Sequence, residues 1–229
     1  AYSDQLISQI PAGVKSILDV GCGTGHLAQL LVARGYEVEA VSPSAYLTER
    51  ARERLGESVR IHENTLENLR VQRRFDLVLF SESFQYIPYT LSLSKVYGLL
   101  NPGGHVLISD FFATDAPGRS ALRGGHRLSE FRAFLATQPY TGLVDLDITE
   151  QTAPNLKIVD DWLRQYALPL WESLGWYLGQ NRPWLARLGR WAFGRKLDKV
   201  HHKYFSGERN AASFKTFKSY RQILLKKQD

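Results

Sequence analysis

The chain has 229 residues, 44% of them apolar, with 29 Lys and Arg against 23 Asp and Glu and a net charge of +6. That length fits one α/β domain, or one domain with a substantial insertion, and the apolar fraction is ample for a buried core. No apolar run approaches the ~18 residues of a membrane span, no signal peptide is visible, and the single cysteine, Cys22, excludes an internal disulfide; together these features predict a cytoplasmic protein.

The first predicted strand, 16–20, carries Ile17-Leu18-Asp19-Val20 and runs into Gly21-Cys22-Gly23-Thr24-Gly25-His26, followed by an apolar helical run from Leu27 to Val32. Glycine is required where the backbone turns sharply and where a ligand lies directly on it. The amides that open the helix then face that ligand. The spacing is G-x-G-x-G, not the G-x-G-x-x-G of dinucleotide binders. Asp19 also places an anion where a pyrophosphate would be repelled. A ligand with a cationic amino-acid end suits the motif better. Cys22 sits between two of the glycines, where a small side chain fits.

After a helix at 25–34, the pattern predicts strands at 36–41, 59–62, 75–80, 104–109 and 142–148, with helices at 45–55, 90–100 and 128–137. This alternation is the signature of a parallel sheet with crossover helices. Pro43-Ser44 ends the second strand, with Ser44 as the N-cap of the next helix. Asn101-Pro102-Gly103-Gly104 is a turn that stops one helix and delivers the following strand. His26 opens a helix, His62 belongs to the third strand, and His105 precedes the fifth.

Beyond Asp147 the strand–helix alternation stops. Val159, Trp162, Leu163 and Tyr166 recur at helical spacing, Pro169 interrupts, and Leu170, Trp171, Leu174 and Leu178 resume the pattern. Pro183 fits the first turn of another helix carrying Trp184, Leu185, Leu188 and Trp191. All five tryptophans fall between 162 and 191. Aromatic residues at this spacing are more often core than ligand cage, so two or three are expected at a pocket. Ser219 to Leu225 reads as a returning strand. From Arg182 onward lie 13 of the 29 basic residues and three of the 23 acidic ones, a net +10 against −4 for the rest. Such asymmetry points to an acidic partner, or equally to a solvated helical surface. The candidate partners are a carboxylate or phosphate, an acidic carrier protein, and an anionic membrane surface. No base-reading motif accompanies the charge, which argues against nucleic acid.

Three segments together carry a family resemblance: the glycine motif after Asp19, the stretch Phe75-Asp76-Leu77-Val78-Leu79-Phe80-Ser81-Glu82, and Leu99-Leu100-Asn101-Pro102-Gly103-Gly104-His105-Val106. In order and spacing the chain resembles a class I S-adenosylmethionine-dependent methyltransferase. The resemblance is to the small-molecule branch (methyltransferase types 11 and 12, similar to quinone-biosynthesis and cyclopropane-synthase-like enzymes). It implies an α/β fold, a Rossmann-like, mostly parallel seven-stranded sheet flanked by helices. It also implies a single domain over 1–229 with a helical lid at about 153–206 before the last strand. A looser likeness over Asp147 to Pro154 accounts for the lid. The implied cofactor is S-adenosyl-L-methionine, with S-adenosyl-L-homocysteine as product. The implied reaction is methylation of an apolar or aromatic small molecule, free or carrier-bound, on oxygen or carbon.

The same resemblance assigns site residues. Gly21, Cys22, Gly23 and Gly25 let the cofactor lie against the first turn. Asp19 supports the loop and the cofactor's amino end, directly or through water, and bonding to loop amides is compatible with that role. Where the family usually has an acid for both ribose hydroxyls, this chain has Ser42, followed by Pro43. A serine offers only a neutral hydrogen bond, roughly half as strong as a charge-assisted one. Tyr46 is a candidate helper, whereas Glu37 and Glu39 share one face before the strand ends. Thr65 and Leu66 align with the adenine loop, with Glu67 near the exocyclic amine, although a capped turn explains these residues nearly as well. Ser81 and Glu82 end the fourth strand, where open sheets bind ligands, and Tyr86 lines the passage to the acceptor.

His126, in Gly124-Gly125-His126-Arg127, is the first candidate base, since an unperturbed pKa of ~6.5 suits proton transfer; a surface loop histidine fits the same sequence. Tyr204, beside His201 and His202, is the second candidate. No metal site is expected. The D/N/S-P-P-Y/F motif of amino-methylating enzymes is replaced by Ser81-Glu82-Ser83-Phe84, which argues against nucleobase or protein-amide methylation. Two other readings stay open. Aminopropyl transfer would need an acidic pocket that the basic lid does not offer. A catalytically silent cofactor-binding protein would account for the missing ribose acid.

Overall fold

The computed structural model describes residues 2–118, 120, 122–205 and 210–228. Its strands are β1 (Ser16–Val20), β2 (Glu37–Ser42), β3 (Arg60–Glu63), β4 (Phe75–Ser81), β5 (Leu100–Ala113), β6 (Tyr140–Asp147) and β7 (Lys218–Lys227). Among the described residues they form one seven-stranded sheet in the order β3-β2-β1-β4-β5-β7-β6. Pairing is parallel between β1 and β2, β1 and β4, β2 and β3, and β4 and β5, and antiparallel between β6 and β7. The interior strand β1 is buried along its whole length. A strand covered on both faces reads as a near-continuous apolar run, and the one charge in β1, Asp19, stands out against it.

Side chains alternate across the sheet with the strand period of two. Leu18, Val20, Val78, Phe80, Val106 and Ile108 face one core. There they meet Leu93 and Val96 of α4 (Tyr89–Leu99) and Phe131 of α5 (Leu128–Leu135). Ile17, Leu77, Leu79 and Leu107 face the other core. They meet Leu6 of α1 (Tyr2–Ile7), Ala28 and Leu31 of α2 (His26–Val32), and Ala51 and Leu55 of α3 (Ala45–Leu55). Phe75, Phe80, Phe84, Phe112 and Phe131 are all fully buried, each worth ~1.5–3 kcal/mol. Ser44 caps α3 as expected, its hydroxyl accepting from the Leu47 amide at 3.3 Å.

Asp76 ties the strand starts together. It accepts from the amides of Lys15 (3.0 Å) and Ser16 (2.9 Å), from the Ser16 hydroxyl (2.9 Å), and from Asn101 Nδ2 (2.8 Å). Burial pushes this carboxyl up, but the Ser16 amide, Asn101, the Lys15 amide and the Ser16 hydroxyl outweigh it and hold the pKa at about 2.

The structure corrects three expected element boundaries. The turn at Asn101 to Gly104 lies inside β5: Leu100 pairs with Phe75 and His105 with Leu77, so the intervening residues bulge out of the ladder, with Gly103 at φ 65°. Helix α1 was not expected, because six residues are too few to display a 3.6-residue period; fully buried Leu6 is what anchors it. Pro169 does not break the chain. Helix α6 (Thr149–Trp162) passes through a π-helical turn, Leu163–Ala167, into α7 (Leu168–Asn181), where Pro169 occupies the first turn. The wider π-helical turn just before it is where the continuous helix accommodates a residue that cannot donate an amide.

By its internal contacts the chain divides into two units. One comprises Ala1–Asp115, Gly124–Ile148 and Ser219–Asp229; the other comprises Ala116–Arg123 and Thr149–Lys218. The helical unit thus spans more than the expected 153–206, whose end at Ser206 lies outside the described residues. It contains α6, α7, α8 (Pro183–Phe205) and α9 (Ala211–Phe217), with α7 packed on α8 and α6 on α9.

Candidate functional site

The strand order reverses at β1, so the crossovers leaving β1 and β4 diverge and open a crevice at their carboxyl ends. The backbone locks this edge. The Gly21 amide donates to the Val41 carbonyl at 2.8 Å and the Glu82 amide to the Ser109 carbonyl at 2.9 Å, while the Ser83 hydroxyl donates to the Val20 carbonyl.

The three motif glycines all have positive φ but differ in function. A Cβ at Gly21 would overlap that of Ser83, and one at Gly25 would meet Leu55 Cδ1 at 2.8 Å. These two glycines permit close packing inside the protein. A Cβ at Gly23 would meet nothing within 4 Å. Its backbone therefore faces open space, as expected of a cradle for a ligand. Asp19 lies beneath this turn with only 1% exposure, and its Oδ2 has no hydrogen-bond partner among the described residues. Burial raises its pKa to about 7. A buried acceptor without a partner costs ~1–3 kcal/mol, which a donor or cation arriving with a ligand would remove. The residues therefore fit the amino-acid end of S-adenosylmethionine. Cys22 is buried too, and burial, with Asp19 nearby, pushes its thiol up to about 12, leaving it unreactive.

The other expected contacts are distributed unevenly. Ser42 is 3% exposed and its hydroxyl accepts from the Ser44 amide at 3.4 Å, so the reachable part of this turn is exposed Pro43. Tyr46 is exposed, with the Arg50 guanidinium over its ring at 5.5 Å. Glu39 is engaged by His62 Nε2 at 2.6 Å, and Glu37 by Arg73 at 3.0 Å. Thr65 sits in a capped turn: its amide donates to Asn64 Oδ1 at 2.9 Å and its hydroxyl accepts from the Asn68 amide at 3.4 Å. Leu66 is 2% exposed and belongs to the core, so only its backbone is available to a base. Tyr86 is fully in solvent at 78% exposure.

Ser81 and Glu82 belong to a network not foreseen from sequence. Tyr220 donates to Glu82 Oε1 at 2.9 Å and lies 3.0 Å from the Tyr2 hydroxyl; Tyr2 in turn donates to Ser109 Oγ at 2.9 Å and lies 3.3 Å from Ser81 Oγ. Glu82 has φ 56°, the one non-glycine residue in the left-handed region among those described. Such strain is of the order of 1–2 kcal/mol and collects at functional sites. Asp110 was also missed. It is 1% exposed, and burial raises it to about 6 even though it accepts from the Gln85 amide (2.9 Å), Gln85 Nε2 (3.1 Å) and the Phe111 amide (2.8 Å). It fixes the turn Phe84–Tyr86 at the crevice edge.

His126 stands beside that same turn. Its Nε2 lies 3.0 Å from the Phe84 carbonyl and 2.9 Å from the Ile87 carbonyl, and its ring packs edge-on against Phe84 and Tyr89. Carbonyls only accept, so Nε2 carries the proton and donates to both. The expected free surface imidazole is instead a half-buried staple, with only Nδ1 left for proton transfer. The side chains of Tyr204, His201 and His202 lie outside the described residues.

Comparison with known proteins agrees with this fold. A family profile described as a methyltransferase domain matches residues 4–208. A malonyl-[acyl-carrier protein] O-methyltransferase of Priestia megaterium is 32% identical over 126 residues, 48% of this chain and 46% of that protein. The chain spans about half the length of the curated relatives it matches. Among solved structures, a cyclopropane synthase of Mycobacterium tuberculosis superposes with a TM-score of 0.72 at 14% identity, over 99% of this chain and 83% of that one. A geranyl diphosphate C-methyltransferase of Streptomyces coelicolor, in complex with S-adenosyl-L-homocysteine, gives 0.69 at 15% identity, over 99% and 76%.

Proposed function

The chain belongs to the methyltransferase-domain family, and on that premise we propose that it transfers a methyl group from S-adenosylmethionine to an apolar or aromatic small molecule, on oxygen or carbon. The carrying observation is the unpartnered, buried carboxylate of Asp19 beneath the open turn at Gly23. When bound, the cofactor supplies an electrophilic methyl carbon on a sulfonium, which is already a good leaving group. The protein must therefore align the acceptor and exclude water, and such positioning is worth up to ~7–11 kcal/mol.

Asp19 takes the amino end and Gly23 clears the path for the chain of the ligand. Glu82, held by Tyr220, and the Asp110-anchored turn at Phe84 define the crevice wall next to the reacting centre. His126 positions that turn through its two carbonyls. The name of the Priestia relative supports presenting the acceptor also on a carrier protein.

Equilibrium binding of labelled S-adenosylmethionine, followed by mass spectrometry of phenols, carboxylic acids and alkenes offered free and carrier-attached, tests this reading. Submillimolar binding and a product heavier by one methylene are expected. Folded protein that fails to bind at millimolar cofactor removes the proposal. Binding without transfer to any acceptor favours a silent cofactor-binding protein.

A further inference from the structure

The helical unit carries most of the exposed large apolar side chains described. Of the 19 exposed large apolar residues described, 14 lie between Ile158 and Val200. Soluble proteins seldom display such a concentration, and where they do it marks an interaction surface.

The two sides of α8 differ. Leu185, Arg187, Arg190, Gly194, Leu197 and Asp198 line a groove of about 800 Å³ together with Trp171 and Leu174 of α7. Trp184, Leu188, Trp191, Arg195 and Lys199 are spaced by four, three, four and four residues and form one row that takes no part in lining the groove. All five are exposed, Trp191 to 85%. The row begins with three large apolar groups and ends with two cations. The last turns of α7 add exposed Trp176 and Tyr177, and Arg182 joins the helices. From Arg182 to Val200 there are six cations and one acid, Asp198.

We propose that this face of α8 docks on an anionic lipid bilayer, with the helix lying in the interfacial plane. Trp and Tyr prefer the boundary between headgroups and acyl chains. Leu188 adds apolar area at the same depth, while Arg195 and Lys199 meet phosphate and anionic headgroups. At 23 residues α8 is ~34 Å long, enough to cross a bilayer. Its cations forbid that: no described helix is long and apolar enough to span. Lying in the plane satisfies both the apolar and the charged ends of the row. An acidic protein would match the cations, whereas tryptophans set beside basic side chains on one helix row also match the headgroup boundary of an anionic bilayer, where both collect. A second copy of the chain would bring two further cations, Arg195 and Lys199, to a row that holds no acid to pair them.

All five tryptophans lie in α6 to α8, so intrinsic fluorescence reports on this unit alone. The test titrates the full chain with vesicles of phosphatidylcholine, and of phosphatidylcholine containing phosphatidylglycerol. The expected result is a blue shift and co-sedimentation with the anionic vesicles only, reversed by salt near ~1 M, where the Debye length is ~3 Å. Arg195→Ala with Lys199→Ala should weaken partitioning on the order of tenfold or more, and Trp184→Ser with Trp191→Ser at least as much, with far-UV circular dichroism unchanged. Absence of vesicle binding, or binding indifferent to both double substitutions, overturns the proposal. A dimer in sedimentation velocity that Trp191→Ser dissolves, or retention on purified acyl-carrier protein with vesicles left unbound, overturns it in favour of those partners.

Discussion

Replacing Asp19 with asparagine should stabilise the ligand-free protein while weakening its hold on the cofactor. Burial raises the carboxyl from an ordinary 3.8 to about 7. A pKa raised on folding means that the folded protein binds the proton more tightly than the unfolded chain does. The stability this contributes is complete below pH 4 and is lost as the pH rises toward 7 and beyond. Three decades of proton affinity at ~1.4 kcal/mol each amount to roughly 4 kcal/mol of stability missing at pH 8. Asp19→Asn removes that penalty but buries an amide in need of partners, which returns ~1–3 kcal/mol. The net gain of ~2 kcal/mol should raise the melting temperature by ~4–8 °C at pH 8; near pH 4, where the carboxyl is already neutral, only the ~1–3 kcal/mol cost of the buried amide remains and the variant should be the less stable of the two. Loss of a charge-assisted hydrogen bond of ~1.5–3 kcal/mol should weaken cofactor binding by ~10–100-fold. Thermal melts followed by far-UV circular dichroism at pH 4.5 and pH 8, with calorimetric titration of S-adenosylmethionine at pH 8, measure both halves. A variant less stable than the parent at pH 8 would refute the electrostatic argument. Unchanged affinity would refute the assignment of Asp19 to the amino end.

The glycines should separate fold from binding. Gly21→Ala drives a Cβ into Ser83 and should cost several kcal/mol of stability, read as a large fall in melting temperature. Gly23→Leu should lose only the ~1–2 kcal/mol of a left-handed backbone yet abolish cofactor binding; a folded variant that binds normally would show that no ligand lies there. His126→Ala should lower the rate tenfold or less with no change in pH profile. It should also destabilise by ~1 kcal/mol, because the half-buried Ile87 carbonyl loses its donor while the Phe84 carbonyl keeps the Ile87 amide. A loss of ~10²–10⁴ confined to one limb of the pH profile would instead identify Nδ1 as a general base.

Most of the sheet was legible because its strands are local apolar runs bounded by glycine, proline and capping residues. β1, the cap at Ser44 and the start of α8 at Pro183 fall where those short-range signals put them. The returning strand β7 was visible as well, but its position between β5 and β6 is a long-range pairing that no window of sequence contains. The same division runs through the candidate site. The sequence by itself marked Asp19 and the glycine turn, because a charge inside a buried strand and positive-φ positions leave a compositional trace. Only the tertiary structure decided that Gly23 alone faces open space while Gly21 and Gly25 serve packing, since that depends on where Ser83 and Leu55 come to rest. It likewise decided that Ser42 is closed off, that His126 staples two carbonyls, and that Tyr2 and Tyr220, 218 residues apart, meet at Glu82. Local sequence sets backbone preference and hydrophobic period. Which polar atoms end up partnered, and which are left waiting for a ligand, is settled by neighbours that chain order does not reveal.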